Sequence, residues 1–122
     1  MKPGASDYSD VALASLIDGA SPHRLVEILY DEFLKTLDLM LLASAKGMAP
    51  QATRARTKAV TILAGLDSGL DLAAGGELAL TLRRFYRGAA QTLGRAEVED
   101  GELDRLRVSM AEVADSWRAI AA

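Results

Sequence analysis

Catalytic or metal chemistry needs convergent ionisable or nucleophilic groups, and few residues in this chain have the types and spacing to supply them. His23 is the only histidine, with Glu27 four residues on. That step puts both on one face of a helix. Two ligands do not make a metal site, however, and a di-iron carboxylate bundle needs Glu-x-x-His pairs on two helices, which are absent. In its polar surroundings His23 reads as a surface residue of a first helical turn. Asp67 and Asp71 are also one turn apart, and Asp31, Glu32 and Asp38 decorate one segment; charges so spaced ordinarily make a solvated face rather than an acid/base pair. Ala73-Ala74-Gly75-Gly76 lacks both the GxGxxG spacing after a strand and the Lys-Ser/Thr of a phosphate loop, and reads as a helix break. The absence of cysteine excludes disulfides, thiolate zinc sites and a cysteine nucleophile. The expectation is a protein without catalytic residues, cofactor or metal.

The elements behind these residues are helical. Six aromatic residues (two Phe, three Tyr, one Trp) and three prolines stand in a chain of 122 that is half apolar, mostly Ala and Leu, so strand signals are sparse. The organising stretch runs from Ser21 to Leu42. Ser21 caps a helix start, Pro22 suits its first position, and Val26, Leu29, Phe33, Leu37 and Met40 recur at three- and four-residue steps along one face. Leu34, Leu39, Leu41 and Leu42 fall outside that stripe, which requires cover on more than one side, by the chain itself or by a partner. Before it, Tyr8 to Ile17 predicts a short helix with Asp7 as cap and Gly19 as stop; at about ten residues it holds only when docked on the body.

After Gly47, Pro50 starts a helix whose stripe is Ala55, Ala59, Ile62, Leu66, Leu70 and Ala73, with Val60, Leu63 and Leu72 off it and Gly65 and Gly69 read as close-packing points. Gly75-Gly76 breaks the chain, and Leu78, Leu82, Phe85, Ala89, Leu93 and Ala96 mark the next helix, with Arg83, Arg84 and Arg87 as a solvated basic edge. Beyond Asp100-Gly101, Leu103, Leu106, Met110, Val113, Trp117 and Ile120 alternate three and four, favouring a left-handed crossing of roughly 20°. Trp117 reads as a core anchor, and Tyr30 as a ring that is core or interface. The predicted fold is all-α: an antiparallel four-helix bundle in one domain, 1–122. Residues 1–19 form a flexible start and short lid-like helix, and the bundle helices span 21–45, 50–73, 76–96 and 101–120.

Net charge is −3, with an acidic cluster from Glu97 to Asp104, so the basic footprint of a nucleic-acid binder is missing. MKPGASDYSD is polar and no run approaches the roughly 20 apolar residues of a spanning helix. A soluble, cytoplasmic protein with no membrane insertion is expected.

Three blocks, in order, resemble the flagellar export chaperone family FliS, the flagellin-specific chaperones. They are YSDVALASLIDGASPHRLVEILYDEFL (Tyr8 to Leu34), KAVTILAGLDSGLDLAAGGELALTLRRFY (Lys58 to Tyr86), and the closing Ala-Asp-Ser-Trp ending at Trp117. They cover most of the chain. Glu32 and Phe33 stand where the family usually has a small residue, and its Asn near Ala96 is missing.

The resemblance implies a cytoplasmic type III export chaperone. Such a protein holds the disordered C-terminal segment of flagellin in a partly helical wrap, prevents premature polymerisation and passes it to the export gate protein FlhA. The surplus apolar positions Leu34, Leu41, Val60, Leu63 and Leu72 are then the expected groove contacts. The short helix carrying Tyr8 and Ile17 is the expected lid, with Tyr8 also touching the gate. Without client the chain is expected to be a monomer or weak dimer. The alternative is a helical regulatory or adaptor protein that binds another client through the same surface.

Overall fold

The computed structural model describes residues 13–95, 98 and 101–120. A short helix α1 is described over 13–17, and four long helices follow: α2 (Pro22–Ala45), α3 (Ala49–Ser68), α4 (Leu72–Gly94) and α5 (Glu102–Ala119). The fold is all-α, with no strand among the described residues.

Helix α2 begins as its sequence dictates. The Ser21 hydroxyl accepts the Arg24 N–H at 3.2 Å and Pro22 occupies the first turn, where a missing N–H costs nothing. Tyr30, Phe33, Leu37 and Met40 are buried in one cluster with Ala59, Ile62, Leu63 and Leu66 of α3, Leu82, Tyr86, Ala89 and Leu93 of α4, and Met110 and Ala114 of α5. Each large side chain so enclosed contributes about 1.5–3 kcal/mol. Tyr30 joins the predicted stripe as a wholly buried residue, whereas Val26 and Leu29 stay half-buried beside it. The buried Glu32 carboxylate has Lys58 Nζ 2.8 Å from Oε1, though not aligned as a hydrogen bond, and Lys35 at 3.6 Å from Oε2.

Long-range contacts fix the directions. His23 meets Trp117 while Asp38 meets Arg107, so α5 runs antiparallel to α2. Glu32 meets Lys58, and Asp67 near the end of α3 meets Arg83 and Arg87 of α4. The arginines expected as a solvated edge thus include two that bind α4 to α3.

Several boundaries differ from the expected ones, each for a local reason. Helix α3 ends at Ser68, not at 73, because the Asp71 carboxylate accepts the Ala74 N–H at 3.0 Å and starts α4 early. Leu70, Leu72 and Ala73 therefore lie beyond α3. The Gly-Gly break survives as a kink inside α4, where Gly76 has φ 53°, a conformation glycine adopts without a Cβ penalty. Gly19 terminates the α1 segment with φ 78°, as its position predicted. Helix α5 stops one residue before Ile120, which is extended and exposed rather than part of the core stripe. Ala96, Asp7 and Tyr8 lie outside the described residues.

Candidate binding groove

A cavity of about 430 Å³ opens where the start of α2, the end of α3 and the first turns of α4 meet. Its walls are apolar: Leu25, Val26 and Leu29 on one side, Leu70 and Leu78 on the other. It exists because the residues between are small. Gly65, Gly69, Ala74 and Gly75 all border it, and a Cβ built at Gly65 would meet nothing within 4 Å. Gly65 is therefore not the packing point its spacing suggested, and Gly69 caps α3. Leu78 is exposed, so the groove reaches solvent through an apolar lip, the usual form of a site for an apolar side of a helix.

Three aromatic rings, Tyr30, Tyr86 and Trp117, border its base, and His23 backs Trp117 from outside it. His23 stacks on Trp117 with centroids 4.9 Å apart and planes 13° from parallel. Trp117 meets Tyr30 edge-on at 6.2 Å, and Tyr30 leads to Tyr86 at 6.4 Å. Polar bonds lock this ladder. Trp117 Nε1–H donates to the His23 carbonyl at 2.9 Å, and His23 Nε2, 3.0 Å from the Trp117 carbonyl, must donate in return because a carbonyl only accepts. His23 is thus a tertiary contact between α2 and α5, not the simple surface residue its neighbours implied. The Tyr30 and Tyr86 hydroxyls bond each other at 2.5 Å in a buried site, and burial pushes both phenols above their ordinary range. The ladder's polar groups are engaged with one another, so what it offers the groove is an apolar, rigid base. Among the described residues no group of three or more His, Cys, Asp or Glu could hold a metal.

The residues expected to line a groove fall elsewhere. Leu63 is 1% exposed within the core and presents no surface; its off-stripe position is covered because α4 packs against that side of α3. Leu34, Leu41 and Val60 are half-buried against the core, and Leu72 is half-buried at the start of α4. None of these five borders the large cavity. Ile17 is half-buried, and Leu13 and Leu16 of α1 border a smaller cavity of about 160 Å³ with Ile28 and Lys35, on another side of α2. The residues that do form the groove left two signals in the sequence: glycines four apart near the end of α3, and an aspartate able to cap a helix ahead of the Gly-Gly pair.

The geometry is that of a helical bundle with an apolar groove. The family profile described as "Flagellar protein FliS" matches residues 4–122, nearly the whole chain. The chain belongs to the FliS family. The flagellar secretion chaperone FliS of Salmonella typhimurium is 29% identical over 120 residues, covering 96% of this chain and 89% of that protein. The flagellar secretion chaperone FliSB of Pseudomonas aeruginosa is 30% identical over 115 residues, covering 93% and 91%. The protein is accordingly a flagellar export chaperone, and the matched residues contain all three blocks that carried the resemblance. No described helix is long and apolar enough to cross a membrane.

Proposed function

We propose that this FliS chain binds the disordered C-terminal segment of flagellin in the cytoplasm, keeps it from polymerising and delivers it to the export gate protein FlhA. The observation that carries the reading is the open groove at Gly65, walled by Leu25, Leu29 and Leu78 and held by an aromatic base. A segment that folds on binding loses several kcal/mol to ordering; burying a few Leu side chains, at about 1.5–3 kcal/mol each, offsets it. A client helix seated there extends along the bundle to the half-buried Leu34, Leu41, Val60 and Leu72. The N-terminal segment, through Tyr8 and Ile17, acts as a gate contact and as a displaceable cover over the side of α2 beside α1, away from the Gly65 groove, where the wrapping client continues. The protein works as a binder, without catalysis.

The test is titration calorimetry with the C-terminal segment of flagellin from the same organism, using the native chain and Gly65→Leu. Since α3 is helical at Gly65 and a Cβ has room there, the variant keeps its fold, gaining about 1 kcal/mol of helix propensity. Its side chain fills the groove. The expected result is 1:1 binding with a negative heat-capacity change, weakened at least about tenfold by Gly65→Leu. Equal affinity of both proteins would move the client away from this groove, and no binding to the native chain would reject flagellin as client. Deletion of residues 1–18 is expected to tighten client binding, and Tyr8→Ala to weaken docking of the loaded chaperone to FlhA; unchanged values would remove the cover and the gate contact respectively.

A further inference from the structure

Helix α2 carries a second stripe that the groove does not use. Lys35, Leu39, Leu42 and Lys46 step by four, three and four on its outward face. Leu39 and Leu42 are 56% and 52% exposed, and the exposed Lys35, at the edge of the small cavity beside α1, meets the Glu32 carboxylate at 3.6 Å. Two exposed leucines side by side, bracketed by cations, form a surface with a definite complement: an apolar stripe bracketed by acids at the same steps.

That complement stands on the neighbouring helix. On α5, Asp104, Val108, Ala111 and Asp115 follow the same four, three, four spacing on the face turned from the core, with Val108 56% exposed. Asp115 is 78% exposed at its side chain and meets Arg118 within its own helix. Within one chain the stripes are side by side and cannot meet. The bidentate pair from Arg107 to Asp38, at 2.6 and 3.1 Å, joins α2 to α5 between them and sets Leu39 and Val108 at one level of the bundle.

We propose that two copies of this chain pair about a two-fold axis beside the Asp38–Arg107 contact, the outer stripe of α2 on each lying against that of α5 on the other. The symmetry is forced by the fold. Because α2 and α5 are antiparallel, a two-fold perpendicular to them sets α2 of one copy parallel to α5 of the second. In that register Lys35 faces Asp104, Leu39 faces Val108, Leu42 faces Ala111 and Lys46 faces Asp115. Every contact occurs twice. A seam of a few apolar residues on one helix pair, even repeated, lies at the small end of specific interfaces, so the dimer is weak and reversible. The groove at Gly65 is on a different side of α2, so pairing leaves it open whichever client fills it.

The test is sedimentation of the full chain from about 1 to about 500 µM, with two charge-reversed variants: Lys35→Asp with Lys46→Asp, and Asp104→Lys with Asp115→Lys. All four side chains are exposed, and retained helicity by circular dichroism confirms folding. The native chain is expected to dimerise reversibly, several-fold more weakly at high salt. Either variant alone is expected to associate at least about tenfold more weakly. An equimolar mixture should restore the dimer, since both contacts then oppose unlike charges. A native chain that stays monomeric throughout, a dimer indifferent to both reversals, or a mixture that fails to recover would each overturn the pairing. Should a charge variant unfold, Val108→Ser serves in its place, and a dimer that it leaves unweakened would equally overturn the pairing.

Discussion

The two flanks of α2 are fastened by different physics. Toward α3 the seam is mainly apolar: Phe33, Leu37 and Met40 share a buried cluster with Ala59, Ile62 and Leu63, with the Glu32–Lys58 ion pair beside it. Toward α5 only Met110 and Ala114 are buried from the incoming helix. There the work falls to the His23–Trp117 clasp, the Arg107–Asp38 pair, and Arg118, which reaches Glu27 and Asp31. Apolar packing is insensitive to salt, whereas exposed ion pairs are weak and screened. The α2–α3 hairpin is therefore the frame, and α5 is a strap laid across the end of the groove. Under the proposed function, in which a long segment is admitted and released, a wall that loosens before the rest is an advantage.

That contrast can be broken from either side. The largest effect is expected in the frame: Phe33→Ala should cost about 3–5 kcal/mol in urea unfolding, a large share of the stability of a domain this size, and unfold all helices together. Trp117→Ala should cost less, about 2–3 kcal/mol, because the ring is only half-buried. Its signature is regional: amides of α5 should lose hydrogen-exchange protection while those of α2 and α3 keep theirs. Uniform loss across the chain would show that strap and frame are one cooperative unit.

The tyrosine pair supplies a pH test. Both phenols are raised in the folded state, so their stabilisation is complete below the unfolded value of 10.0 and is lost as pH rises beyond it. The native chain should lose about 1.4 kcal/mol per pH unit for each tyrosine above that point. Tyr86→Phe should flatten the slope. The smallest effect is expected at Asp38, whose carboxyl the Arg107 guanidinium holds below its usual range. The sign is opposite: the contribution is present above the unfolded value of 3.8 and fades as pH falls through the lower folded one. Because both partners are exposed, Arg107→Gln should lower stability only slightly, by an amount that vanishes at high salt.

Much of this molecule was legible from its residues. Ser21-Pro22 announced the start of α2, Gly19 the stop before it, and the three-four steps through Phe33, Leu37 and Met40 named the heart of the core. Caps and periodicity act within a few residues, so the sequence states them directly. Order and spacing of the Leu-Tyr-Asp, Gly-Gly-Glu-Leu-Ala and Ser-Trp elements also carried the family.

Tertiary structure decided which surplus surfaces stay open. Leu63 and Leu39 are both off-stripe leucines, yet one is enclosed by α4 and the other faces outward; helical phase gives an angle about one axis and says nothing of where the neighbouring axes lie. The same holds for Gly65, where the sequence shows a missing side chain but only the distance between helices shows whether the space is filled. His23 and Trp117 are 94 residues apart, beyond any local pattern. Helices, core stripe and kinship were fixed by short-range chemistry in the chain. The groove, its aromatic base and the outward stripes arose only when the helices took their places around α2.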